Sequence, residues 1–370
     1  MNLDELRIEI DKLDKTILSS FEKRMDLCHQ VADYKKANGL PVFQADREKI
    51  IIDKVRANSP EGLKDASAVL FTEIMDISKS LQQSDIYRSS ETAVPSPFTV
   101  SKDQIIGCQG TVGSNSEAAA RKLFRDNKIT FYEDFEQVFK AVCNGEITYG
   151  ILPIHNSTAG SVTQTYDLMR KYDVFITKLI RTEIHHCLAT KQGNAIDNIH
   201  NVYSHPQALS QCSAFLHENG LRPIEALNTA TAAKFVSTTD EKCGAICSES
   251  AAELYGLEIL QKNISNVVPN YTQFICISRQ FLVSDDADTI SVNLKLPHSA
   301  GSLYRLLSKF FISSMNLTKI ESRPLLDGSF DVMFYLDFTG SISDIKVRTL
   351  LSELACELEY FKFMGNYSEI

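Results

Sequence analysis

From Leu3 to Lys36 the apolar positions Leu6, Ile10, Leu13, Ile17, Phe21, Leu27, Val31 and Tyr34 recur at helical spacing with no Gly or Pro between them. The pattern predicts one helix of ~35 residues, ~50 Å long. Gly39 and Pro41 end it, and helical periodicity returns over 46–56 and 63–83. One long helix and two shorter ones cannot cover their own apolar stripe, so a second copy of the chain is expected against them. The stretch SSETAVPSPFTVSKD offers little to pack and reads as a linker over 89–102. Over 103–284 short β-type runs alternate with helical ones (IIGCQ, SEAAARKLF, ITFYE, FEQVFKAVCNG, YGILPI), the pattern of an α/β domain. Residues 288–370 read strand, helix, strand, strand, helix, strand, the βαββαβ order of a ferredoxin-like α+β unit. The chain is thus expected to be multidomain, with an all-helical segment at 1–88.

Composition narrows the function. The 370 residues are 44% hydrophobic and 23% charged, ordinary for a globular protein, and a net charge of -9 without a basic block disfavours nucleic acid as a partner. No apolar run reaches the ~20 residues that span a bilayer, and the N-terminus reads as an amphipathic helix, so no membrane association and a cytoplasmic location are expected. The nine cysteines are scattered without CxxC pairs, which predicts free thiols and no metal site. Small molecules are the expected ligands.

On the first helix Arg24 and Lys35 lie ~20° apart around the axis, whereas Arg7 is ~80–100° away and ~25 Å along it from Arg24. Arg7 therefore reaches a ligand shared with Arg24 only from a second, antiparallel copy. Ser78 and Gln82, at i and i+4, point the same way from the third helix, opposite Ile74, Ile77 and Leu81. With VFQADREKI after the first helix, residues 1–85 resemble the all-helical chorismate mutases. The resemblance implies a pocket lined by Arg7 of the partner, Arg24, Lys35, Arg47, Glu48, Ser78 and Gln82. Arg7 and Arg24 would hold carboxylates, Lys35 and Gln82 the ether oxygen, and Glu48 the ring hydroxyl. A pericyclic rearrangement needs confinement and charge stabilisation rather than a nucleophile, and this inventory suits it. Gln44 departs from the Asp common in relatives.

In the middle segment the strings GTVGSNSEAAA, GILPIHNSTAGSV, SHPQALSQC, CSESAAELYGL and NYTQF occur in that order. Residues 103–283 resemble the prephenate dehydratases, which implies two α/β lobes closing over a cleft as in type-2 periplasmic binding folds. By that resemblance Thr272 is the acid, and His155, Asn156, Ser157, Ser204, Gln211 and Gln273 join it around the substrate. Four positions depart from the family: His155 for Glu, Gln273 for Arg, Asn115 for an aromatic and Asn228 for Ser. The exchange at 155 and 273 leaves a second reading open, an impaired or altered dehydratase that binds prephenate or only decarboxylates it.

The last segment carries HSAGSLYRLL, NLTKIESRP and MGNY. It resembles the ACT domain of dehydratases, which implies phenylalanine binding at a subunit interface by Gly301, Ser302 and Leu303 with Glu321, Ser322, Arg323 and Pro324. The whole order resembles the bifunctional chorismate mutase/prephenate dehydratases. It implies an enzyme without cofactor that converts chorismate to prephenate and prephenate to phenylpyruvate under phenylalanine feedback, as a dimer or tetramer.

Overall fold

The computed structural model describes residues 2–88, 95–325 and 331–370. They form two compact units, one of 1–94 with 288–363 and the other of 95–287 with 364–370.

The first unit opens with α1 (Leu3–Ala37), α2 (Ala45–Asn58) and α3 (Lys64–Arg88). A capping box starts α1: Glu5 N donates to Asn2 Oδ1 at 2.8 Å and Asn2 N to Glu5 Oε2 at 2.9 Å. Gly39, at φ +63°, takes the left-handed turn that lets the chain leave the helix. Only the second half of α1 packs: Met25, Ala32 and Lys35 are its buried residues, while Leu13 and Ile17 are 63% and 62% exposed.

The expected elements of the βαββαβ order follow: strand Thr289–Lys295, helix Ser302–Ile312, strands Leu317–Pro324 and Val332–Thr339 and helix Ile345–Glu357 in the same unit, then strand Tyr360–Tyr367, which runs from this unit into the second at 364. The run SFDVMFYLDF, which reads as the third strand, starts at Ser329, and residues 326–330 lie outside the described ones. Strand Val332–Thr339 is central, antiparallel to Thr289–Lys295 on one side and to Leu317–Pro324 on the other. Val292, Leu294, Phe310, Leu336, Phe338 and Leu350 form the core between this sheet and its two helices. Those helices also pack on α3, where Gln83 Nε2 donates to Ser352 Oγ at 3.0 Å and Ser308 Oγ to Glu73 Oε1 at 3.1 Å.

The second unit holds two lobes. In the first, strands run in the order Lys128–Tyr132, Ile105–Gln109, Tyr149–Asn156, Tyr271–Ser278, Phe175–Glu183. In the second the order is Glu258–Gln261, Cys187–Thr190, Cys243–Cys247, Asn201–Ser204, Arg222–Glu225. The chain passes between lobes twice, after Glu183 and before Tyr271. The expected linker proves partly structured, and residues 89–94 of it lie outside the described ones. Ser96 and Pro97 pair in parallel with Leu282 and Val283, and the Phe98 ring packs 5.3 Å from that of Tyr149. The single large apolar side chain of that stretch decides the matter, because Phe98 joins the lobe's core.

Candidate active sites

In the second unit a cavity of about 380 Å³ opens between the lobes. Thr272 and Phe274 reach it from strand Tyr271–Ser278, and Pro153 and Asn156 from the neighbouring strand. The starts of three helices, Asn115–Leu123, Thr163–Lys171 and Thr229–Thr238, border it through Ser114, Val162 and Asn228. Their N-terminal dipoles favour an anion in the hollow. Gly110 belongs there for a steric reason: at φ +114° it takes a backbone that side chains rarely adopt, and a Cβ would stand 3.1 Å from Ser114 Oγ.

Asn156 is the hub of the buried polar network. Its Oδ1 accepts from the backbone N–H of Thr158 at 3.1 Å and of Ala159 at 2.9 Å, which fixes which end of the amide is oxygen. Its Nδ2 therefore faces Asn270 Oδ1 and Thr272 Oγ1, each at 2.8 Å. Since the Thr272 oxygen accepts from Asn156, its own O–H is left to point elsewhere. Gln211 extends the network, donating to Thr158 Oγ1 at 2.6 Å while its Oε1 accepts from Asn270 at 3.2 Å. His186 Nε2 lies 3.1 Å from the same Oε1, and burial lowers its pKa, so the imidazole is neutral and donates from Nε2.

The other expected groups stand apart. Ser204 is fully buried and spends its hydroxyl on Ile246 O at 2.7 Å, and Ser157 Oγ accepts from Tyr271 N at 2.9 Å. His155 and Gln273 are absent from the cavity lining and pair with each other across the strands. Alternation explains this: Thr272 and Phe274 face the cavity, so the residue between them faces the other way. Two of the family departures, Asn115 and Asn228, do line it.

In the first unit Arg24 and Ser78 meet across the α1–α3 seam, and Arg24 Nη1 also reaches Ile74 O at 3.4 Å and Cys28 Sγ at 3.8 Å. Gln82 donates to Ser78 O at 3.1 Å, while its buried Oε1 has no hydrogen-bond partner among the described residues. Lys35 Nζ donates to Val42 O at 2.8 Å; burial lowers its pKa, opposed by the charges of Cys28 and Glu48. Arg7 stays on the exposed first turns beside Asp4 at 3.4 Å, and Arg47 lines a separate hollow with Ile51, Lys54 and Phe71.

A chorismate mutase type II family profile matches residues 6–83 and a prephenate dehydratase profile residues 106–281. The bifunctional chorismate mutase/prephenate dehydratase of Aquifex aeolicus is 30% identical over 99% of this chain and 97% of its own length. The chain belongs to the bifunctional chorismate mutase/prephenate dehydratases. Arogenate dehydratase/prephenate dehydratase 1 of Arabidopsis thaliana is 36% identical over 71% of each chain. The solved prephenate dehydratase of Arthrobacter aurescens, in complex with L-Phe, superposes with a TM-score of 0.66 at 26% identity, covering 71% of this chain and 89% of that one. As a member of this family the chain is an isomerase and a lyase, with the mutase in its helical segment and the dehydratase in its α/β unit.

The structure of this bifunctional enzyme also shows a charge cluster that sequence reading missed. Lys79, on α3, lies 2.9 Å from Glu48, 2.8 Å from Asp76 and 3.0 Å from Glu357. Burial alone would lower the Lys79 pKa, but Glu357, Asp76 and Glu48 together hold it above the ordinary lysine range. Arg305 reaches Glu48 at 3.8 Å and Lys309 reaches Glu357 at 3.0 Å. The signal in the sequence was faint: Asp76 and Lys79 at i, i+3 look like any solvated helix pair until a second domain covers them. His186 and Asn270 were likewise not singled out, although Asn270 begins the string NYTQF.

Of the expected sensor residues, Gly301, at φ +84°, opens helix Ser302–Ile312, and Ser302 and Leu303 line a hollow of about 370 Å³. Glu321, Ser322, Arg323 and Pro324 lie on strand Leu317–Pro324, separated from strand Thr289–Lys295 and its following loop by strand Val332–Thr339. Within one chain the two stretches are therefore not neighbours.

Proposed function

We propose that Thr272 is the proton donor of the dehydratase, that Arg24, Lys35, Ser78 and Gln82 form the mutase pocket together with Arg7 of a second copy, and that the βαββαβ unit is an ACT sensor of phenylalanine. One observation carries the dehydratase assignment: Asn156 donates to Thr272 Oγ1 at 2.8 Å, which turns the hydroxyl proton toward the interlobe cavity. Prephenate loses its ring carboxylate as carbon dioxide, and the freed electron pair enters the ring as the hydroxyl on the opposite carbon departs. The Thr272 O–H protonates that hydroxyl, which leaves as water, and a proton from solvent restores the threonine. Gln211 and the helix starts receive the carboxylates, while His186 stays neutral behind Gln211.

For the mutase, Arg24 and Lys35 supply positive charge where the ether bond breaks. The free Gln82 atom is an acceptor, so its amide turns over to donate to the ether oxygen. The exposed Leu6, Ile10, Leu13 and Ile17 support a second copy against α1. Each such side chain gains about 1.5–3 kcal/mol when buried. Phenylalanine sensing is supported by the L-Phe complex of the Arthrobacter aurescens relative and by the separation of the two sensor stretches, which a second copy would bring together. A cytoplasmic location fits the nine free cysteines, and no helix among the described residues is long and apolar enough to cross a membrane.

The impaired-dehydratase reading rested on His155 and Gln273, which stand outside the cavity lining. Prephenate turnover with the product identified tests the assignment: phenylpyruvate is expected, slowed by millimolar phenylalanine. A decarboxylated product that retains the hydroxyl would overturn the dehydration, and a rate indifferent to phenylalanine would overturn the sensor.

A further inference from the structure

Thr272 sits between two residues that face the back of its sheet. The Arg181 guanidinium lies 4.5 Å from the centre of the Tyr271 ring. Gln273 Nε2 donates to Glu369 Oε2 at 2.9 Å, and Arg181 Nη1 is 3.5 Å from Glu369 Oε1. One carboxylate, distant in sequence, thus ties together both neighbours of the proposed acid.

Glu369 is held by a built arrangement. Residues 364–370 follow strand Phe175–Glu183: Leu179 N donates to Ser368 O at 3.0 Å, Ile370 N to Leu179 O at 2.9 Å and Arg181 N to Ile370 O at 2.9 Å. The segment comes in close at Gly365, where a Cβ would stand 2.2 Å from Ile176 O, so only glycine fits. Buried Lys178 anchors it through Asp286, at 2.8 Å, and through Ser368 Oγ.

The register of the catalytic strand shows why such a hold matters. Thr272 opposes Asn156 and Gln273 opposes His155, but Phe274 opposes Pro153, so Ile154 of the neighbouring strand is left over and that ladder slips beside Gln273, while the pairing with Phe175–Glu183 on the other side stays regular from Tyr271 to Cys276. An irregularity of this kind re-aims side chains, and a one-residue shift exchanges the two faces of a strand. Such a shift would turn Gln273 into the cavity and Thr272 out of it. We infer that Glu369 is a positioning residue of the dehydratase, gripping Gln273 and Arg181 from behind so that Thr272 keeps its hydroxyl in the cleft. The inference rests on the assignment of Thr272 as the acid.

The test compares Glu369→Ala, Glu369→Gln and Thr272→Ala in the full chain, measuring kcat and KM for prephenate, the melting temperature, and the chorismate mutase rate of the same preparation. Glu369→Ala is expected to lower the prephenate kcat roughly tenfold with little change in KM, because misplaced catalytic groups cost turnover more than binding. The mutase rate and melting temperature stay at wild-type values. Glu369→Gln, which keeps an acceptor for Gln273, retains most of the activity, and Thr272→Ala loses roughly a hundredfold or more. A wild-type kcat in Glu369→Ala beside an inactive Thr272→Ala overturns the role of Glu369 alone. Wild-type turnover in Thr272→Ala removes the acid assignment and the inference with it. A Glu369→Gln enzyme as slow as Glu369→Ala contradicts the Gln273 contact as the grip. Mutase rate and melting temperature falling in step with kcat would make Glu369 merely structural.

Discussion

The interlobe cleft and the first helix handle polar and apolar groups in opposite ways. Around Thr272 the buried Asn156 and Asn270 bond to each other, and buried His186 joins them through Gln211. Along α1 the leucines and isoleucines of the first half are exposed, and Arg7 lies in the open beside Asp4. A satisfied buried network is rigid and specifies one arrangement, whereas an uncovered apolar stripe has yet to find its other side. The proposed dehydratase site draws on a network already closed within the α/β unit, whereas the proposed mutase pocket takes a residue from a second copy.

The sharpest separation of the two regions comes from Lys35→Ala. It is expected to lower mutase turnover by about 10³-fold, the scale for losing a preorganised charge, while prephenate turnover is unchanged. Equal loss of both rates would contradict two separate sites. Conversely, Asn156→Ala frees the Thr272 rotor and strands its neighbours, and a dehydratase rate down by about 10²-fold with an intact mutase is the expected outcome. Charging the exposed stripe with Leu13→Glu and Ile17→Glu should halve the sedimenting mass and lower the mutase rate roughly tenfold at dilute concentration, because the pocket then lacks Arg7. Prephenate turnover that fell alongside would argue that the dehydratase also depends on pairing.

The smallest effect concerns stability. Burial pushes the Glu353 carboxyl up to about 7, with Lys309 only partly offsetting it. A folded pKa above the unfolded value means that the neutral acid's contribution is present at low pH and is lost as pH rises from about 4.5 through about 7. Glu353→Gln should therefore leave melting at pH 5 nearly unchanged and stabilise the protein at pH 8, by about 1–3 kcal/mol. A mutant no more stable than wild type at pH 8 would remove that strain from the account.

Much of this arrangement was legible in the chain because it rests on local periodicity. Leu6 to Tyr34 specify α1, Gly39 its end, and the alternation around 289–295 and 332–339 the strands of the last segment. Phe98 was misread because a single aromatic in a Ser/Pro-rich stretch gives no period, yet one ring is enough to dock the segment. The motif strings located Thr272, Asn156 and Gln211, but not which face each neighbour takes. His155 and Gln273 look like cleft residues until the strand register shows them behind the sheet. The Glu369 contacts join residues 96 and 188 positions apart, the Lys79 cluster joins helices from both ends of the chain, and no local pattern announces such pairs.

The central claim, two separate sites acting in succession, is tested most directly by feeding chorismate to the full chain and quantifying prephenate and phenylpyruvate over time, with the Lys35→Ala enzyme beside it. Wild type should pass through a prephenate transient to phenylpyruvate, while Lys35→Ala should make phenylpyruvate from added prephenate but hardly any from chorismate. Prephenate that accumulates as the end product of wild type, or a Lys35→Ala enzyme dead toward both substrates, would contradict it.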